Sequence, residues 1–251
     1  MQGGKFMSNL GVAILLTCVI TSSQPTATEP IPAPPQPPIV EPIPIPQAPV
    51  VVDPTTKKAE YDVVLGSFTT KFNNNSIGRT ENLRVACNYI NGQIVAPGKV
   101  FSFTSLAGPC TTSRGYKSAI IISDGKYTSG IGGGVCQIAS TLYNTALLSN
   151  MEIKERKCHS LRSSYVEVGR DATISTGSID LKFKNSYNKP VKISCEFQAS
   201  KGYVTIKILG LTDTPIPNIK LNVTKTGVSS YKLTRTVNGV TNYTAYSKYL
   251  N

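Results

Sequence analysis

Imidazole is nearly absent from this chain: 251 residues contain one histidine, His159, and no tryptophan. One histidine cannot build a histidine-rich metal site. No Cys-x-x-Cys occurs either, and the gaps between the cysteines beyond residue 80 run from 22 to 37 residues, so the sequence argues against a zinc centre and no metal or cofactor is expected. The glycine run at 130–134 lacks a following Gly-Lys-Ser/Thr, which argues against a phosphate-cradling P-loop. No solenoid-type internal repeat is present. Acidic residues are also few, 14 against 26 basic, for a net charge of +12.

Proline is scarce except in one place. From Pro25 to Pro54 lie 12 of the 17 prolines, with no Lys or Arg among them, in patterns such as Pro42-Ile-Pro-Ile-Pro46. Such a segment cannot form a core. It predicts a semi-rigid polyproline spacer of roughly 3 Å per residue, on the order of 90 Å if fully extended. Ahead of it, Lys5 and the apolar Leu10–Ile20 have the charged and hydrophobic regions of a secretory signal, with an apolar core short for a membrane span. Residues 1–24 are therefore expected to be a signal peptide or N-terminal anchor and 25–56 a spacer. The protein is expected outside the cell, in the wall or on the outer face of the cytoplasmic membrane of a Gram-positive organism, touching the membrane only through that N-terminal segment. Outside the signal, removing Lys5 leaves 25 basic against 14 acidic residues, or +11, with no long basic run. For an exported chain this charge fits anionic wall polymers and peptide-stem carboxylates better than nucleic acid.

The chemistry points to one cysteine. Cys136 closes the run Gly130-Ile-Gly-Gly-Gly-Val-Cys136, and Ile138, Leu142, Ala146 and Leu147 then recur at helical spacing. Cys136 is thus expected at a helix start, where unpaired N–H groups and the dipole favour a thiolate. Backbone at Gly133, Gly134 and Val135 is the candidate oxyanion site, since glycine lets a carbonyl approach closely. Asn150 is expected to end the helix, and Met151 to His159 reads as a strand with His159 facing the core side and Cys158 the other. His159 is the candidate base. Asp171 is the candidate group that orients it, with a backbone carbonyl the alternative. Five cysteines lie past the signal, enough for two disulfides with Cys136 left as the free thiol.

A second helix is expected from Thr80 to Asn91 with Thr80 as its N-cap. Strands are expected at Tyr61–Phe72, Val100–Phe103, Ala119–Ile122, Leu181–Lys184, Val191–Phe197 and Tyr203–Leu209. Around Lys220–Thr224, Tyr231–Thr236 and Thr241–Ala245, alternating threonine-rich runs predict a terminal hairpin or meander with a turn at Asn238-Gly239. The fold class expected is α+β: one antiparallel, strand-rich domain with the cysteine at a helix N-terminus, followed by a β-rich segment.

Several motifs occur in a fixed order: Pro97-Gly-Lys-Val-Phe-Ser-Phe103, Arg114-Gly-Tyr-Lys117, Gly132-Gly-Gly-Val-Cys-Gln137, Ser140-Thr-Leu-Tyr-Asn144, His159-Ser160, Gly169-Arg-Asp-Ala-Thr173 and Asp180-Leu-Lys-Phe-Lys-Asn185. Over residues 60 to 210 the chain resembles VanW-domain proteins. The resemblance implies a peptidoglycan L,D-transpeptidase that uses a cysteine nucleophile, with Cys136 at the nucleophile position and His159 at the histidine position. It frames residues 57–212 as the catalytic domain and 213–251 as the β-rich extension. Cys87, Cys110, Cys158 and Cys195 depart from the family pattern. The basic residues near His159, with Arg156 and Arg170 foremost, and Tyr165 beside them, are expected to bind a carboxylate-bearing stem peptide. Two other readings stand beside this one: a cysteine peptidase or amidase on the same stems, and a non-catalytic wall-binding module whose glycine run serves packing.

Overall fold

A computed structural model describes residues 60–123 and 125–250; the expected N-terminal signal or anchor and the proline spacer lie outside these residues. In chain order the elements are β1 (Val63–Lys71), α1 (Ile77–Ile90), β2 (Ile94–Val95), β3 (Val100–Ser102), α2 (Phe103–Ala107), a 3-10 turn (Thr112–Arg114), β4 (Ser118–Ser123) and β5 (Lys126–Ile131). They continue with α3 (Val135–Leu148), β6 (Glu152–Glu155), β7 (Lys182–Lys184), β8 (Val191–Gln198), β9 (Tyr203–Gly210), β10 (Ile219–Lys225), β11 (Ser230–Val237) and β12 (Val240–Lys248). The strands form four antiparallel sheets, ordered β1-β9-β8-β2, β3-β7-β6, β10-β11-β12 and β4-β5. The architecture is α+β and strand-rich.

Helix α3 is the centre of the fold. Eleven consecutive residues, Gln137 to Leu147, are buried, and the helix packs on β1 and β9 on one side and on α1 and β6 on others. Its apolar positions Ile138, Leu142, Ala146 and Leu147 meet the inward-facing Ile206 and Ile208 of β9 and Leu65 of β1 in one continuous core. A helix buried this completely has polar residues inside, and they must find partners there. Thr141 and Thr145 bond back to carbonyls one turn earlier, at 2.7 and 2.9 Å. Ser140 and Asn144 instead reach out to another segment, with consequences for the site described below.

Most expected elements are present with edges moved by one or two residues, and Asn238 and Gly239 both adopt the positive φ that a tight β11–β12 turn demands. Asn150 is left-handed, at φ 54°, where the chain leaves α3. Some expectations need revision. Helix α1 begins a turn earlier than Thr80, at Ile77 behind Ser76, and the Thr80 N–H is already an intrahelical donor to the Ser76 carbonyl at 2.9 Å. Phe103 starts the short helix α2 instead of ending β3, because Ser102 Oγ accepts the Ser105 N–H and caps it. The exposed strand β5 lacks apolar alternation and takes up Gly130 and Ile131, the first residues of the glycine run. The strand expected over 151–159 stops at Glu155, with a register shift between Ile153 and Glu155. Beyond it only Lys157 pairs, as an isolated bridge to Thr173, because Arg156 turns inward.

One disulfide forms among the described residues, Cys87–Cys195, tying α1 to β8 across 108 residues of sequence. Cys110, Cys136 and Cys158 are free. A bridge closing so long a loop restricts the unfolded chain strongly. The Cys87→Ala/Cys195→Ala variant should lose about 2–5 kcal/mol in guanidinium unfolding, with the loss appearing equally in reduced wild type. An unchanged midpoint would refute this role.

Candidate active site

The site begins with a turn that only glycine can make. Gly132 and Gly134 hold φ values of 87° and 107°, and Gly134 is the N-cap of α3. At Gly133 a Cβ would stand 2.4 Å from the Ile120 carbonyl oxygen of β4. The space the glycines leave at Gly133 is therefore filled by β4 backbone, and packing is what this glycine serves. The Val135 N–H closes the turn onto the Gly132 carbonyl at 3.1 Å, so Val135 is removed from the expected oxyanion donors. The backbone N–H groups of Gly133, Gly134 and Cys136 have no bonded acceptor among the described residues.

Cys136 is the second residue of α3, partly exposed. Its thiol interacts electrostatically with the His159 ring and lies 3.7 Å from the Thr173 hydroxyl and 3.9 Å from the Ile174 carbonyl. His159 is 6 % exposed and Asp171 1 %. Asp171 Oδ2 accepts both the His159 backbone N–H at 2.7 Å and the Nδ1 side of its ring at 2.6 Å, which leaves Nε2 unbound by the carboxylate. Asp171 Oδ1 accepts the Tyr249 hydroxyl at 2.6 Å and the Arg156 guanidinium at 3.2 Å. The structure thus brings Cys136, His159 and Asp171 together, with His159 bonded to Asp171 and interacting with the Cys136 thiol.

Asp171 is held by α3 itself. Ser140 bonds both the N–H and the carbonyl of Ala172, at 2.8 and 3.1 Å, while Asn144 bonds the carbonyl of Arg170 at 2.8 Å. The residues on either side of the carboxylate are therefore pinned to the helix that carries the thiol. One rigid element positions both ends of the chain.

Electrostatics follow from this geometry. Burial pushes the Cys136 thiol up, but the hydrogen bond and charge of His159 outweigh it and the thiol ends below its ordinary value. Burial works against a charged His159, yet the hydrogen bonds to Asp171 and Cys136 raise it to about 9. Asp171 stays ionised, pulled below the usual carboxylate range against its burial by His159 and Arg156. The half-buried Cys110 moves the other way. Burial and the neighbouring Cys136 raise it to about 11, so at neutral pH it is a thiol and a poor nucleophile.

Two expected substrate contacts are occupied elsewhere. Arg156 has a side chain 3 % exposed and spends its guanidinium on Asp171, the Gly169 carbonyl and Ser247 Oγ. It holds the carboxylate and has nothing left for a ligand. Arg170 donates to Asn144 Oδ1 at 2.7 Å and lies over the Phe68 ring. Tyr165 does sit at the site: its hydroxyl is 3.5 Å from His159 Nε2, its ring meets the imidazole edge-on, and it lines a cavity of about 410 Å³ with Arg79 and Gln137. Two residues escaped the sequence reading. Tyr249, just past β12, gave no signal because it looked like part of a tail. Arg79 stood just ahead of the helix expected from Thr80; only the earlier start of α1 puts this cation in a first turn, where it opposes the helix dipole and asks for another reason to be there. Among the described residues no cluster of three or more His, Cys, Asp or Glu side chains could hold a metal, and no helix is long and apolar enough to cross a membrane.

A thiol at a helix N-terminus, interacting with an imidazole that a buried carboxylate holds, on a frame of antiparallel sheets, defines the arrangement. The chain belongs to the VanW family: the family description "VanW like protein" matches residues 78–209. It is 37 % identical over 142 residues to the uncharacterized protein YoaR of Bacillus subtilis, a match covering 57 % of this chain and 47 % of that one. It is 36 % identical over 109 residues to the vancomycin B-type resistance protein VanW of Enterococcus faecalis, covering 41 % of this chain and 40 % of that one. The chain thus spans less than half the length of each relative. No solved structure matches it.

Two outcomes test this geometry. The rate of Cys136 alkylation by iodoacetamide should climb to its plateau with a midpoint below the ordinary thiol value of about 8.5, and Asp171→Asn should move that midpoint upward. The sign follows from the relay: losing the carboxylate lowers His159, and a neutral ring stabilises the thiolate less. A wild-type midpoint at or above the ordinary value would contradict it. Gly133→Ala should cost about 1–3 kcal/mol in denaturant unfolding through the collision with β4, and a stability equal to wild type would show that the turn has room to give.

Proposed function

We propose that the chain is an exported cysteine acyltransferase acting on peptidoglycan stem peptides, an L,D-transpeptidase that forms 3-3 cross-links. The observation that carries this reading is the grouping at the N-terminus of α3 of the partly exposed residue Cys136 with His159, whose Nδ1 is bonded to the Asp171 carboxylate. A thiol so paired is set up for attack on a carbonyl, and the unpaired N–H groups of Gly133, Gly134 and Cys136 supply donors for the oxygen that becomes negative. Export rests on the N-terminal sequence pattern, and the net charge of +12 suits an anionic wall.

The steps are those of a ping-pong acyl transfer. Cys136 Sγ attacks the carbonyl carbon between diaminopimelate and the terminal D-alanine of a tetrapeptide stem. As the tetrahedral intermediate collapses, the C–N bond breaks and the His159 imidazolium gives its proton to the departing amine, so D-alanine leaves and a thioester remains on Cys136. The side-chain amine of a neighbouring stem then attacks the thioester. His159 takes a proton from that amine, the new amide forms, and the thiolate is regenerated with the ring again protonated. Asp171 stabilises the charged ring and fixes its tautomer throughout. Tetrapeptide donors lack the D-alanyl-D-alanine end that glycopeptides recognise, which gives a rationale for the name borne by the Enterococcus relative.

The test is mass spectrometry of the protein incubated with purified disaccharide tetrapeptides. A cross-linked dimer with loss of D-alanine is expected from wild type, with a fall of at least about 1,000-fold in Cys136→Ala and His159→Ala. Freed stems without dimers would replace the transferase by a hydrolase in which water resolves the thioester. No product from folded protein would leave a wall-binding module.

A further inference from the structure

The carboxylate-binding role expected of Arg156 and Arg170 leaves a vacancy, since both guanidinium groups are held internally. A different guanidinium is free. Arg79, in the first turn of α1, makes one hydrogen bond among the described residues, from Nη2 to Gln137 Oε1 at 2.5 Å, and forms no ion pair there. Its side chain lies against Gly134, where a Cβ would meet the Arg79 Cγ at 3.0 Å. Half-buried cations without a carboxylate partner are uncommon, because burial costs solvation that only a counter-charge returns. Burial indeed pulls the Arg79 pKa down, but a guanidinium remains charged at any pH of interest.

The way Arg79 is held leaves its remaining donors without a partner among the described residues. Gln137 is fully buried, and its Nε2 donates to Thr70 Oγ1 at 3.0 Å and to the Lys71 carbonyl at 2.9 Å. A carbonyl can only accept, so the amide orientation is forced and Oε1 must face Arg79. One edge of the guanidinium is thus fixed to the residue that follows the nucleophile, and Nε and Nη1 stay open. Arg79 lines a cavity of about 410 Å³ together with Lys71, Asn75, Ser76, Gln137 and Tyr165. This cavity holds two cations, and no carboxylate lines it.

Its place relative to the reacting atoms decides what it takes. Tyr165 lines the cavity and lies 3.5 Å from His159 Nε2, the atom that hands a proton to the leaving amine. In an amino-acid leaving group the carboxylate stands one Cα beyond that amine. We propose that Arg79, backed by Lys71, binds the C-terminal carboxylate of the residue that the enzyme expels, so that only the last peptide bond of a stem fits. This inference rests on the acyl-transfer reading and adds to it a rule of substrate choice: the scissile bond must be followed by a single residue with a free carboxylate. A fork-shaped, preorganised guanidinium suits such a planar anion.

The experiment alkylates Cys136 in the intact protein with iodoacetate or iodoacetamide, the extent at Cys136 being read by peptide mass. Wild type should favour the anionic reagent relative to the neutral one. Arg79→Gln should lose that preference by roughly tenfold, and Arg79→Lys should keep part of it. Wild type carries a second test: peptides ending in D-alanine should protect Cys136 from iodoacetamide, whereas the same peptides ending in D-alaninamide should not. An unchanged reagent preference in Arg79→Gln, or equal protection by both peptides, overturns the carboxylate site while Cys136 reactivity leaves acyl transfer standing. A wild-type Cys136 inert to both reagents overturns the acyl-transfer reading and the inference with it.

Discussion

The buried carboxylate of Asp171 is the constraint on which the rest depends. An ionised carboxylate out of contact with water is costly unless its lone pairs are filled, and here four donors fill them: the His159 backbone and ring, Tyr249 and Arg156. These partners come from two stretches of chain, and a third fixes the residues on either side of Asp171. The loop after β6 supplies Arg156 and His159, the end of the β10-β11-β12 sheet supplies Tyr249, and α3 holds the flanking residues Arg170 and Ala172. Satisfying one charge therefore draws the C-terminal meander onto the body of the molecule and sets the imidazole beside the thiol. Structural and chemical demands meet in the same atoms, so removing Asp171 leaves His159 and Arg156 with uncompensated polar groups as well as an unoriented ring.

Helix α3 is the second organising element, and its composition reflects two duties. Its apolar face belongs to the core with Leu65, Ile206 and Ile208. Its polar residues are buried too, and each one binds a specific neighbour: Gln137 ties β1 and Arg79, Thr141 meets Thr70 at 2.8 Å, and Ser140 and Asn144 fix the strip around Asp171. Buried polar networks like this are costly when incomplete and rigid when satisfied. That rigidity is what a reaction requiring sub-ångström alignment draws on. The glycine turn that precedes α3 serves the same end, since it lets β4 backbone approach the helix start.

The periodicity of α3, the position of Cys136 near its start and most strands were legible because they depend on local pattern: apolar spacing, turn residues and alternation. Asp171 could be singled out only by chain order, as an acid that follows the cysteine and then the histidine, since Glu155 and Glu167 lie nearer to His159 in sequence. What the sequence hid was the use of long polar side chains across space. Arg156 and Arg170 look alike on the page as basic residues near a histidine, yet one is sunk against a carboxylate and the other stacks on Phe68. Arg79 lies 80 residues before His159, and Tyr249 lies 78 residues after Asp171. No local periodicity reports contacts made across such distances. The break in the strand at Glu155 has the same origin, because Arg156 leaves the ladder in order to reach Asp171.

A chain with one histidine allows an unusually direct test of the central claim. Nuclear magnetic resonance of the imidazole nitrogens gives a titration that can belong only to His159. The account predicts a ring that remains protonated through neutrality and loses its proton near pH 9, with that midpoint falling in Cys136→Ala because the thiolate contributes to it. A wild-type ring titrating near its ordinary value, about 6.5, and indifferent to the loss of Cys136, would contradict the thiolate–imidazolium pair on which the proposed chemistry rests.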